Sequence, residues 1–222
     1  MLLAIDTSTA QMGLAAYDGA QVLAEMAWTN RQFHTVELAP STAGLLARCG
    51  LTMEAVTALG VAIGPGSFTA LRVGLSFAKG LALARRLPLI GIPTLDVVAA
   101  AQPVSDLPLV ATLQAGRGRL AVGWYAASEN GWQAQGPAKV ETVDSLAEQI
   151  QNPTIVCGEL SAEERQRPAR KRVNVVLMTA ANSVRRPAIL AELAWARWQA
   201  GKVDDVSSLA PIYLHAAESI PG

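Results

Sequence analysis

Asp6-Thr7-Ser8-Thr9 sets one carboxylate and three hydroxyls directly after the short apolar run Leu2–Ile5. At the end of a strand, such a group can hold a metal-bound phosphate, and the same residues can equally cap their own backbone as a polar turn. The second glycine-bearing stretch is Gly64-Pro65-Gly66-Ser67-Phe68-Thr69, between an apolar run and a helical one. It resembles the start of a phosphate-cradling loop, yet the grips are incomplete. A Walker loop needs GxxxxGK followed by Ser or Thr, and Thr69 is followed here by Ala70 and Leu71, with no lysine. A dinucleotide loop needs GxGxxG, and its third glycine position is Thr69. Both nucleotide signatures fail, although a bare helix N-terminus still attracts anions.

Other catalytic constellations have little support. His34 and His215 are the only histidines, and no HxxxH or HExxH spacing and no cysteine pair accompanies them. Ser67 lies in GPGSFT, which is not the GxSxG elbow of a hydrolase, and no nucleophile–base pair suggests a protease. Cys49 and Cys157 lie far apart without a CxxC, which fits a reduced, cytoplasmic protein. Asp6 interrupts the N-terminal apolar run too early for a signal peptide. Arg72, Lys79 and Arg85 interrupt the most apolar later stretch, so no membrane span is expected.

The elements that must position these residues follow from apolar spacing. Leu2–Ile5 reads as a buried strand, and Asp18-Gly19 as a hairpin turn between two further strands, giving an antiparallel meander. Phe33–Cys49 has helical spacing, with Pro40 predicting a start or a kink. Thr57–Gly64 reads as a strand, and Pro65-Gly66 as a tight reversal in which proline fixes φ and glycine permits positive φ. Ser67 or Thr69 is placed to cap the next helix, which extends to about Arg86. Pro88–Pro93 follows as a strand, and Thr94 as the N-cap of a short helix. Past the turn formers of Gln102–Pro108, strands are expected at 109–113, 120–126, 153–157 and 174–178, and a helix at 143–150. A proline-framed helix at 187–200 and an extended tail complete the chain. The fold class is α/β with mixed sheets.

Along the helix after the glycine turn, Ala70, Gly74, Ala78 and Ala82 recur every fourth residue beside Leu71, Leu75, Phe77 and Leu81. A stripe this bare lets a neighbour approach closely, and that neighbour is either the chain's own sheet or a partner subunit. Eighteen Lys and Arg balance eighteen Asp and Glu, which argues against autonomous nucleic-acid binding. The one basic cluster, Arg165, Arg167, Arg170, Lys171 and Arg172 with Arg185 and Arg186, lacks interleaved aromatics and reads as a solvated loop.

Taken together, LLAIDTST, GPGSFTALRVGLSFAKGLA and PIYLH resemble the TsaB (YeaZ) family. The resemblance implies an actin-like, Hsp70-type (ASKHA) fold of two lobes, 1–103 and a reduced 104–222, with helix 187–200 able to pack back on the first. It implies a cytoplasmic, non-catalytic scaffold in tRNA threonylcarbamoyladenosine synthesis that pairs with TsaD, recruits the ATPase TsaE, homodimerises alone and meets tRNA only through the complex. The partner face it implies is Ser67, Phe68, Ala70, Leu71, Gly74, Leu75, Ala78 and Ala82. It implies no catalytic residue, no metal and no cofactor of its own, with ATP or ADP held through partners. Asp6, Thr7 and Ser8 are residual nucleotide candidates, and the competing reading is an actin-like kinase or ATPase using Asp6. Where TsaD carries the second histidine of its metal pair, this chain has Leu38 after His34. It also departs from the TsaB pattern at Ala70, usually glycine, at Gln114, usually aspartate, and at His215, usually arginine.

Overall fold

Leu2–Asp6 (β1) is buried at every position, as expected of a strand covered on both faces. The computed structural model describes residues 1–30, 34–169 and 174–214. β1 is the centre of a five-stranded sheet with order β3-β2-β1-β4-β5. Gln11–Tyr17 (β2) and Val22–Thr29 (β3) complete the expected antiparallel meander, while Ala58–Ala62 (β4) and Leu89–Ile92 (β5) add in parallel. The hairpin turns at Asp18, whose carboxylate accepts from the backbone of Gln21 and Ala20; these bonds hold its pKa below the usual aspartate value.

Period-two alternation sorts β1 into two cores. Leu3 and Ile5 face Leu38, Leu45 and Leu46 of α1 (His34–Arg48) and Leu75, Ala78 and Ala82 of α2 (Phe68–Arg85). Leu2 and Ala4 face Leu190, Ala191 and Ala194 of α6 (Pro187–Gln199). α1 passes through Pro40 without ending there, and the expected first residue of that helix, Phe33, lies outside the described residues. α3 (Thr94–Ala100) follows β5. After α6 the chain meets the open edge of β5, where Asp204 N donates to Leu89 O and Gly91 N donates to Asp204 Oδ2 at 2.8 Å, and further on Ile212 N donates to Ile63 O, just past the end of β4.

The second sheet has order β11-β10-β6-β7-β8, with β9 pairing β7. Its strands are β6 (Leu109–Gln114), β7 (Leu120–Ser128), β8 (Gly131–Ala134), β9 (Lys139–Glu141), β10 (Thr154–Gly158) and β11 (Val175–Leu177), joined by helices α4 (Val143–Gln149) and α5 (Ala162–Ala169). Val110, Leu120, Val122, Leu146, Ile150 and Val156 form its core. Cys157 is buried in β10, and burial pushes its thiol up to about 12. An alkylating reagent at pH 8 should therefore label Cys49, which is partly exposed, and leave Cys157 unmodified until denaturant is added. Mass spectrometry of the labelled chain checks this, and modification of Cys157 in the native protein would contradict it.

The described residues divide into two compact units, Met1–Val97 with Arg185–Ile212, and Val98–Val184 with Tyr213 and Leu214. The division thus falls ahead of the expected 103/104 boundary, and the segment holding α6 belongs to the first unit because its apolar face covers β1, β2, β4 and β5. No helix among the described residues is long and apolar enough to cross a membrane.

Candidate functional site

The polar turn after β1 is consumed by the chain's own bonds. Asp6 Oδ1 accepts from Ser8 N at 2.8 Å, and Oδ2 is ion-paired with Arg185 Nε. Arg185 is only 2% exposed, and its Nη2 also donates to Gln11 O at 2.6 Å and to Thr9 Oγ1 at 3.2 Å. Thr7 Oγ1 donates to Ala70 O at 2.6 Å and accepts from Gly74 N at 3.1 Å. Ser8 Oγ bonds Thr94 Oγ1 at 2.8 Å, and Ser8 O accepts from Ser67 N at 2.7 Å. A carboxylate with both oxygens engaged and its charge matched by a buried guanidinium offers little to a metal-bound phosphate. The candidates Asp6, Thr7 and Ser8 are therefore brought together, but as the support of α2.

The glycine turn answers to the same hub. Positive φ falls on Gly64 (+106°), not on Gly66, and the Gly64–Pro65 bond is cis. Gly66 is needed for another reason: a Cβ there would overlap Ser8 O. Ser67 occupies the N-cap position of α2 without making a side-chain cap bond; its backbone N–H is held by Ser8 instead. Thr94 does not cap its own helix either. Its hydroxyl accepts from Gly64 N at 2.9 Å, so it pins the turn from the side.

The bare stripe of α2 meets the chain's own sheet. Ala70, Leu71, Gly74, Leu75, Ala78 and Ala82 are all buried, and a Cβ on Gly74 would overlap Thr7 Oγ1. This corrects the expectation that these six residues touch a partner: their space is taken by β4, β1 and the turn after β1. The sign of one substitution separates the two readings. In an exposed helix Gly→Ala stabilises by about 1 kcal/mol; here Gly74→Ala should destabilise by about 1–3 kcal/mol through overpacking against Thr7. Urea unfolding of the variant checks this, and a gain in stability would contradict the packing described. Ala70 is buried, and its backbone carbonyl accepts from Thr7 Oγ1, so the methyl that replaces the usual hydrogen lies within the chain rather than at a surface.

The other side of α2 is exposed and apolar. Phe68 is 54% exposed and Leu83 70% exposed, and Arg72 stacks its guanidinium 3.7 Å from the Phe68 ring centroid. Thr35, Leu38 and Ala39 of α1 and Phe68, Val73 and Phe77 of α2 line a groove of about 470 Å³. Val36 of α1 adds a further exposed side chain, 67% accessible. Ser67 and Phe68 alone of the expected interface residues are exposed. Sequence periodicity picked the small-residue side of α2 because bareness is visible in letters, whereas the exposure of Phe68 depends on where α1 lies.

Leu38, at the position of the second histidine, is 2% exposed within the core, and His34 Nε2 lies 3.0 Å from Thr9 O. Among the described residues no group of three or more His, Cys, Asp or Glu could hold a metal ion. The described residues of the basic cluster are each engaged within the chain. Arg185 is buried, Arg165 bonds Met178 O, Arg167 pairs with Asp144 and Glu163, and Arg186 pairs with Glu25. Arg170, Lys171 and Arg172, like His215, lie outside the described residues. Gln114 ends β6 and donates to Glu164 Oε2 at 2.6 Å, so the amide there is used within the second unit.

A family model described as "TsaD: tRNA N6-adenosine threonylcarbamoyltransferase" matches residues 21–204. The tRNA threonylcarbamoyladenosine biosynthesis protein TsaB of Escherichia coli is 31% identical over 163 residues, covering 71% of this chain and 70% of that protein. The chain belongs to the TsaD family, in its TsaB (YeaZ) branch. A solved structure from Pseudomonas aeruginosa, described as an uncharacterized protein with similarity to peptidase YEAZ, superimposes with a TM-score of 0.79 at 23% identity, covering 96% of this chain and 99% of that one. A ROK hexokinase from Thermus thermophilus shares the fold at a TM-score of 0.51 and 11% identity, covering 89% of this chain and 99% of that one. The fold is thus actin-like, as the TsaB resemblance implies, and the hub after β1 sits on a scaffold that a sugar kinase also uses.

Proposed function

We propose that this chain is a non-catalytic, activating subunit in tRNA threonylcarbamoyladenosine biosynthesis. It pairs with a TsaD-type homologue through the exposed side of α2 and the adjoining part of α1, and a TsaE-type ATPase joins the pair. In the absence of the partner, the same face joins two copies of the chain. Any nucleotide is held by the partners, and tRNA is met through the assembly.

The observation that carries this reading is the state of Asp6. Phosphoryl transfer on this fold asks for a carboxylate oxygen that can face a cation, and both oxygens of Asp6 are bonded inside the chain. Leu38 removes the second imidazole that a metal pair would need. What the first unit leaves exposed is an apolar groove with an aromatic–arginine pair at its rim, the kind of side chains that anchor protein interfaces. The kinase or ATPase alternative draws no support from this geometry.

Reconstitution tests the proposal. Omitting this chain from a mixture of its TsaD-type and TsaE-type partners, tRNA and threonylcarbamoyl-adenylate should abolish modification, and adding it back should restore it. Modification that proceeds unchanged without it contradicts the proposal. The isolated chain should hydrolyse no ATP in an Asp6-dependent manner, which a phosphate-release assay on wild type and Asp6→Ala reads directly.

A further inference from the structure

We propose that Arg185 is a positioning residue for the α2 face: its guanidinium stands where a bound cation would neutralise Asp6, and it holds the turn on which the first turns of α2 rest. The inference rests on the reading of the exposed side of α2 as the partner face. Arg185 is the first residue of the segment that returns to the first unit, just ahead of α6. No spacing in the sequence ties it to Asp6, yet it is among the largest fully buried side chains of the molecule.

Two short relays run from it to α2. In the first, Arg185 pairs with Asp6, Asp6 Oδ1 accepts from Ser8 N, and Ser8 O accepts from Ser67 N at the start of the helix. In the second, the same turn carries Thr7, whose hydroxyl bonds both Ala70 O and Gly74 N. Ser8 also bonds Thr94, which holds Gly64 N. The planar guanidinium reaches Asp6, Thr9 and Gln11 at once, so it fixes the direction of the turn as well as its charge. A buried ion pair is rarely the most stable filling for such a space, and apolar residues of similar volume often do as well. Specifying one geometry is what the pair does that apolar residues would not.

The test uses the full chain in three forms: wild type, R185K and D6L/R185M. The apolar double variant should fold and melt close to wild type. In both variants, amides of residues 64–74 should exchange with deuterium roughly tenfold faster than in wild type, with the second unit unchanged. Affinity for the TsaD-type homologue from the same source should fall by about tenfold in D6L/R185M and by less in R185K, which keeps the charge but not the fork. Unchanged exchange at 64–74 in R185K, or in a folded D6L/R185M, overturns the proposal and leaves the pair a stabilising contact only. If D6L/R185M does not fold, R185K alone decides by the same exchange readout. If exchange responds as expected but wild type does not bind the homologue, the partner reading fails while the positioning role of Arg185 stands.

Discussion

Arg185→Met should destabilise the first unit by about 3–5 kcal/mol, because it strands a carboxylate that is only 2% exposed without its partner. Asp6→Leu should cost a similar amount for the opposite reason, leaving a buried guanidinium without the carboxylate it pairs with. The two substitutions together should recover most of the loss, since the coupled charges are then removed as a pair. Urea unfolding monitored by tryptophan fluorescence in a Trp124→Phe/Trp132→Phe background reads the first unit, which keeps Trp28, Trp195 and Trp198 and where Trp195 stacks edge-on against Tyr17 and Trp198. A cycle in which the losses simply add would show that the two side chains do not depend on each other. That result would remove the basis for treating the turn after β1 as closed from within.

The second large effect concerns the opposite side of α2. Phe68→Asp should weaken pairing with the TsaD-type homologue by about 2 kcal/mol or more, roughly thirtyfold, as expected when an aromatic anchor at an interface is replaced by a charge. Stability of the isolated chain should stay within about 0.5 kcal/mol of wild type, because the ring is 54% exposed and is not among the buried residues of the core. Analytical ultracentrifugation of the mixture and thermal unfolding of the variant supply the two readouts. The pairing of Phe68 with Arg72 makes Arg72→Glu a companion variant, since loss of the stacked cation alters the same rim. Both variants leave the buried stripe untouched. Pairing at wild-type strength in Phe68→Asp would move the interface elsewhere.

Much of the architecture was legible in the letters, and the reasons are local. The apolar runs of β1 and β2, the Asp18-Gly19 turn, and the proline at the start of α6 act within a few residues, so patterning finds them. β8, β9 and α5 escaped. The first two are short strands without a continuous apolar run, and α5 is a charged helix with Pro168 near its end, which reads as loop. The site divided along the same line. The glycine turn was visible because it lacks the residues of a phosphate loop, and its service to Ser8 and Thr94 was not, since those bonds span long sequence separations. Arg185 was misread as one of a basic cluster, because charge runs in a sequence carry no sign of burial. The stripe of α2 marks a close-approach surface, and its neighbour is the chain's own sheet: smallness says that something comes near, and only the positions of β4, β1 and the turn after β1 say what.

The most direct test of the account as a whole is a reconstituted tRNA-modification assay with two variants, run at concentrations where pairing of wild type and Asp6→Asn with the TsaD-type homologue is complete. Asp6→Asn should support turnover at the wild-type rate, while Phe68→Asp should lose activity in proportion to its lost pairing. Abolished turnover in a fully paired Asp6→Asn complex would contradict the account, because the chain would then be contributing a reacting group and not a surface.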